Sequence, residues 1–183
     1  MINGHEFVDL GLGVLWATCN VGAQIPEEFG DYFAWGETKP KRIFNEQTCE
    51  TYERVDIEEI SGTERDVARI LWGAPWRMPT GEEMEKLEYC GRNWIEHDGV
   101  WGRDIRGLSG NRIFLPAAGW RYWGLLKDFN EEGYYWSGSS LQGDAQSAVP
   151  MRIGESIFNI NTAISSWYRS RYYGMSIRPV ADI

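Results

Sequence analysis

Only two histidines, His5 and His97, occur in the 183 residues, so no His pair or Ser/His/Asp triad can be assembled from spacing. No GxSxG, HExxH, P-loop or GxGxxG string is present either. The acidic pairs Glu27-Glu28, Glu58-Glu59 and Glu131-Glu132 are chain neighbours in acidic loops, which is the pattern of solvated surface. Glycoside hydrolysis needs two carboxylates facing each other across a cleft, and no spacing here points to such a pair. Cys19, Cys49 and Cys90 form no CxxC or Cys/His cluster of zinc spacing. They read as small buried hydrophobes, with a single Cys19–Cys49 bridge left open. The expectation is therefore a chain without catalytic residues, metal or cofactor, and not an enzyme.

The chemistry that is abundant is aromatic. Ten Trp, nine Tyr and seven Phe stand beside 21 Gly, and twelve of these rings, including six of the nine Tyr, fall in residues 116–183. Most lie in Gly- and Ser-rich context, as in Trp120-Arg-Tyr-Trp-Gly124 and Ser165-Ser-Trp-Tyr-Arg-Ser-Arg-Tyr-Tyr-Gly174. Rigid rings give large contact area at little entropy cost while small polar residues adapt, which is the composition of a protein-binding surface. The candidate binding residues are Trp120, Tyr122, Trp123, Tyr134, Trp167, Tyr168, Arg169, Ser170, Arg171, Tyr172 and Tyr173, the arginines adding charge-assisted hydrogen bonds. The competing reading is that these rings fill a β-rich core. It is weakest for Tyr168, Tyr172 and Tyr173, because Arg169, Ser170 and Arg171 between them would make poor core.

Elements able to position these residues are short. Helical periodicity appears twice. After the capping box Ser61-Gly-Thr-Glu64, Val67, Ile70 and Leu71 share a face, and Gly73 and Pro75 stop the helix. After Thr80-Gly-Glu-Glu83, Met84 and Leu87 share a face, acidic residues fill the first turn, and Gly91 is the candidate C-terminal cap. Strands are expected at 7–10, 14–18, 32–35, 113–115, 134–137, 148–153, 156–160 and 175–180, with long irregular segments at 36–60 and 119–133. This is an α+β pattern of about one domain, 1–183, with no repeat or linker. Net charge is −9, and residues 1–103 carry 20 acidic against 10 basic residues. That balance argues against nucleic acid as partner. No apolar stretch approaches the roughly 18–20 residues that span a bilayer, so no membrane insertion is expected. The start, Met1-Ile-Asn-Gly-His5-Glu6, lacks the basic and apolar regions of a secretory signal, which favours a cytoplasmic or phage-packaged origin unless the chain is trimmed.

Several strings together carry a resemblance. Trp76-Arg-Met-Pro-Thr80 with the acidic helix behind it resembles the RLPTEAEWE segment of the formylglycine-generating-enzyme group, and Tyr173-Gly-Met-Ser-Ile-Arg-Pro-Val180 is similar to that group's terminal strand. Val8-Asp-Leu-Gly-Leu12, Leu15-Trp-Ala-Thr-Cys-Asn-Val-Gly22, Gly30-Asp-Tyr-Phe-Ala-Trp-Gly-Glu37, Ile113-Phe-Leu-Pro-Ala-Ala-Gly119 and Gly133-Tyr-Tyr-Trp-Ser137 resemble the Fibrobacter-type major paralogous domain. The resemblance spans nearly the whole chain. It implies a C-type-lectin-like fold: short antiparallel sheets with two short helices and long irregular loops, the terminal strands paired. The enzymes of the group resemble one another in a C-terminal cysteine pair, whereas the last cysteine here is Cys90. Calcium-dependent lectins of this fold look like EPN or QPD followed by WND, and neither string occurs.

The C-terminal part also looks like the variable region of proteins diversified by retroelements, with 116–178 as the candidate variable, ligand-binding segment. In such regions asparagine codons change by adenine mutagenesis. Those codons cannot reach Trp that way, so Trp120, Trp123 and Trp167 would need other template codons or belong to the scaffold. The resemblance implies a scaffold of Trp16, Trp35, Trp76, Arg77, Pro79, Trp136, Arg178 and Pro179, and a receptor-recognition protein of a gut bacterium or its phage whose partner is a protein or glycan on a cell surface. The alternatives are a surface adhesin or structural module and a calcium-independent carbohydrate-binding module.

Overall fold

The computed structural model describes residues 1–160 and 170–183. Along the chain run β1 (Phe7–Asp9), β2 (Val14–Ala17), α1 (Val67–Trp72), β3 (Trp76–Arg77) and α2 (Gly81–Glu85), which continues into a 3-10 turn, Lys86–Tyr89. Then follow β4 (Gly91–His97), β5 (Val100–Arg106), β6 (Arg112–Pro116), β7 (Trp120–Tyr122), β8 (Leu125–Lys127), β9 (Glu132–Leu141), β10 (Asp144–Gly154), β11 (Phe158–Ile160) and β12 (Val180–Asp182). All pairings between these strands are antiparallel, in sheets ordered β1-β2-β12-β3, β11-β10-β9, β4-β5-β6 and β7-β8. The fold is α+β. Val180 pairs with both Trp16 and Arg77, so the last strand is clamped between the second strand and the middle of the chain.

β9 explains much of the aromatic excess. Tyr134 and Trp136 point into a cluster with Trp35, Trp76 and Met175, while Tyr135 points the opposite way, toward Trp16, Leu115 and Met151. Alternation along a strand sends successive side chains to opposite faces. Both faces of this strand are covered, so its sequence reads as an unbroken aromatic run instead of an alternating one. Burial of rings this size stabilises on the order of 2–3 kcal/mol each. Trp16, Trp35, Trp76, Trp136 and Arg178 are fully buried, as the scaffold reading expected. Arg178 donates to Asn20 Oδ1 (2.9 Å) and to the Ala17 and Thr18 carbonyls, holding the turn after β2.

The second helix starts where its capping box indicates. The Thr80 hydroxyl accepts from the Glu83 amide (3.2 Å), and the Glu83 carboxylate accepts from the Thr80 amide (2.9 Å). Gly91 is not its cap, because the helix tightens into the 3-10 turn and ends at Cys90. The first helix differs more. Its N-cap is Asp66, not Ser61, whose hydroxyl instead donates to the Met78 carbonyl. The Asp66 carboxylate accepts from the amides of Gly62, Arg69 and Met78, three donors that a serine hydroxyl could not serve. Its buried residues are Val67, Ala68 and Trp72, while Ile70 and Leu71 face solvent.

Among the expected strands, 32–35 and 175–180 are mostly lone bridges, such as Phe33 to Met175, with only Val180 in a strand. Hairpin β4–β5 was not expected, although Asp98-Gly99 at its turn, both at positive φ, is a strong hairpin signal. Segment 119–133 is not irregular throughout, since it contains the β7–β8 hairpin. The cysteines are free thiols, so the Cys19–Cys49 bridge left open by the sequence is not formed.

Candidate functional site

The candidate binding residues separate by depth. Tyr134 is 1% exposed and its hydroxyl donates to Glu132 Oε2 (2.6 Å). Burial and that neighbouring carboxylate push its pKa far above the ordinary tyrosine value. Arg171, also 1% exposed, donates to the carbonyls of Ser147, Thr51, Arg54 and Ile57, and its guanidinium lies 4.4 Å from the Trp35 ring centre. It stitches the 51–57 loop to β10. Trp120 is buried with its indole N–H donating to Asp128 (2.7 Å), and Tyr173 packs edge-on against it at 4.8 Å. These four candidates are buried, so a ligand could reach them only by opening packed rings or breaking backbone hydrogen bonds. Ser170 is half-buried and bridges to Ser147. Trp167, Tyr168 and Arg169 lie outside the described residues.

What remains at the surface is a layer resting on that core. Tyr122 contacts Tyr173 edge-on (5.4 Å) and Tyr172 (6.1 Å), and Tyr172 contacts Tyr173 (4.7 Å). Trp123 stands against Tyr122 (6.3 Å) and is 49% exposed. Tyr52, which the sequence reading did not include, reaches Tyr172 at 5.2 Å from the long 36–60 loop. Burial raises its pKa, helped by Tyr172 and by the carboxylates of Glu53, Glu46 and Asp144. Nothing in the composition of a Glu-rich loop distinguishes one Tyr as part of an aromatic layer; only tertiary contact does.

The β7–β8 hairpin positions this layer. Trp123 sits at its tip with φ 52°, a left-handed conformation that costs a bulky residue roughly 1–2 kcal/mol. It is held there by reciprocal backbone bonds, Trp123 N–H to the Phe44 carbonyl (2.8 Å) and Phe44 N–H to the Trp123 carbonyl (3.0 Å), with Phe44 fully buried. Gly119 at the hairpin's base has φ +66°, and a Cβ there would overlap the Lys127 carbonyl oxygen.

Burial raises the pKa of the Cys49 and Cys90 thiols, so neither is activated as a nucleophile. Among the described residues, one group could hold a metal ion: Glu27, His97 and Asp98, whose ligand atoms lie within 4.8 Å of one another. His97 Nδ1 is already in contact with Glu27 Oε1, and His97 and Asp98 are exposed. No helix among the described residues is long and apolar enough to cross a membrane. No protein-family model, no curated protein and no solved structure matches this chain.

Proposed function

We propose that this chain is a non-enzymatic receptor-recognition protein, in which a C-type-lectin-like scaffold presents a diversified aromatic surface to a protein or glycan on a cell. The observation that carries this reading is Trp123, half exposed, held in an unfavourable backbone conformation and backed by Tyr122, which in turn contacts Tyr172 and through it Tyr52. Exposed rings fixed in place by buried ones lose little entropy on binding, which is the property of interface anchors. The clamped terminal strand and the long 36–60 loop support the scaffold part of the reading.

The test is to sequence the gene across a natural population. Variation is expected at exposed positions of 116–178, including Tyr122, Trp123 and Tyr172, while Trp120, Tyr134, Arg171 and Tyr173 stay constant because the core depends on them. Uniform sequence at Tyr122, Trp123 and Tyr172, or equal variation at the buried four, would overturn the diversification reading.

A further inference from the structure

Beside the aromatic layer, residues 40–43 and the β7–β8 hairpin enclose a cleft of about 430 Å³, within the roughly 300–1,000 Å³ of small-ligand sites. Its lining includes Tyr32, Lys41, Arg42, Arg121, Gly124 and Asp31. Tyr32 is buried, and the Arg121 guanidinium lies 4.8 Å from its ring centre. Lys41 is occupied by Glu37 (2.8 Å) and the Thr48 carbonyl. Arg42 and Arg121 have no carboxylate in ion-pair range among the described residues. The reciprocal Phe44–Trp123 backbone bonds tie the two walls together, so the cleft is pre-formed.

The charge here opposes that of the molecule. In a chain of net charge −9, residues 1–60 hold only four basic side chains, Lys39, Lys41, Arg42 and Arg54. Two of them line this cleft, and the fold brings Arg121 to them from the other half of the chain. Arg42 and Arg121 both line the cleft, and an anion bound there would accept charge-assisted hydrogen bonds from arginine. Asp31 in the same lining narrows the choice. Its carboxylate can accept hydrogen bonds from hydroxyl groups, so a ligand combining one anionic group with several hydroxyls suits this lining.

We propose that this cleft binds an acidic sugar residue, its carboxylate held by Arg42 and Arg121 and its hydroxyls by Asp31, with the neighbouring sugar reaching Trp123 at the hairpin tip. This rests on the reading of the Trp123 face as a binding surface and gives it a ligand class. The test is isothermal titration calorimetry of the full chain with two probes, sialyl-lactose and a glucuronate-containing tetrasaccharide, against their carboxyl-reduced counterparts and a glutamate decapeptide.

Saturable binding of at least one acidic saccharide is expected, at least tenfold weaker after carboxyl reduction and in Arg42→Gln and Arg121→Gln. It should be unchanged in Arg65→Gln, which lies outside the cleft. Arg42 is exposed, so its variant tests the site even if Arg121→Gln perturbs folding. Absence of binding by both acidic saccharides, equal binding of the reduced forms, unchanged affinity in Arg42→Gln, or tighter binding of the decapeptide would each overturn the assignment. Variation at Tyr122, Trp123 and Tyr172 in the population survey, combined with any of those results, would remove the cleft assignment and leave the surface reading standing.

Discussion

Arg171 shows how far a side chain's chemistry can mislead about its role. A guanidinium between aromatic neighbours has the composition of a binding hot spot, yet here it serves four backbone carbonyls and one indole face from inside the fold. Arg171→Ala would strand those acceptors, an expected loss of about 3 kcal/mol or more in denaturant unfolding. Arg171→Lys should recover little of it, since one ammonium cannot span acceptors arranged for a planar fork. A loss under about 1 kcal/mol in Arg171→Ala would show that the carbonyls find other partners. Trp123 is the opposite case. Trp123→Gly removes an exposed ring and relieves a left-handed backbone, so its stability should stay within about 1 kcal/mol of the parent, while any ligand contact made by the indole disappears.

The helices and hairpins divide by whether their signals are local. Thr80 and Glu83 satisfy each other three residues apart, and the same Glu83 carboxylate accepts from Arg77 (2.7 and 2.8 Å), which also reaches Asp182 in β12. One cap thus ties α2 to β3 and the C-terminal strand. Thr80→Ala should cost about 1 kcal/mol by chemical denaturation, and Glu83→Gln should cost more, because it weakens both the cap and the ion pair. The start of α1 was illegible for the complementary reason: Asp66 caps it by also gathering the Met78 amide, a contact twelve residues away. For β7–β8, Gly119→Ala is expected to disrupt the hairpin, read as loss of the Trp123–Phe44 pairing in amide exchange, since the left-handed φ and the Lys127 carbonyl both exclude a Cβ.

Over the whole molecule, acid stability follows from two pairs. Glu83 and Glu132 are both desolvated by burial, yet their bonds to Arg77, and to Arg152 and Tyr134, hold their carboxyl pKa values below the ordinary range. The folded chain therefore binds fewer protons at these sites than the unfolded one. Their stabilisation is complete above roughly pH 4.3 and is lost as pH falls through the depressed folded values. Melting temperature should drop from pH 5.5 to 3, and Glu83→Gln/Glu132→Gln should flatten that dependence; an unaltered slope would rule these pairs out as its source.

The sequence by itself determined the α+β class, the Thr80 cap and the absence of a recognisable catalytic motif, because periodicity, capping and residue type act locally. It could not decide which rings of 116–183 face solvent. Tyr134 and Tyr122 stand in equally aromatic contexts, and only the covering of both faces of β9 buries the first while the β7–β8 hairpin lifts the second. Nor could it bring Arg121 to Arg42 or Tyr52 to Tyr172. Those meetings span some eighty to one hundred and twenty residues of chain, and they exist because two buried clusters on either side of one strand fix where every loop must return.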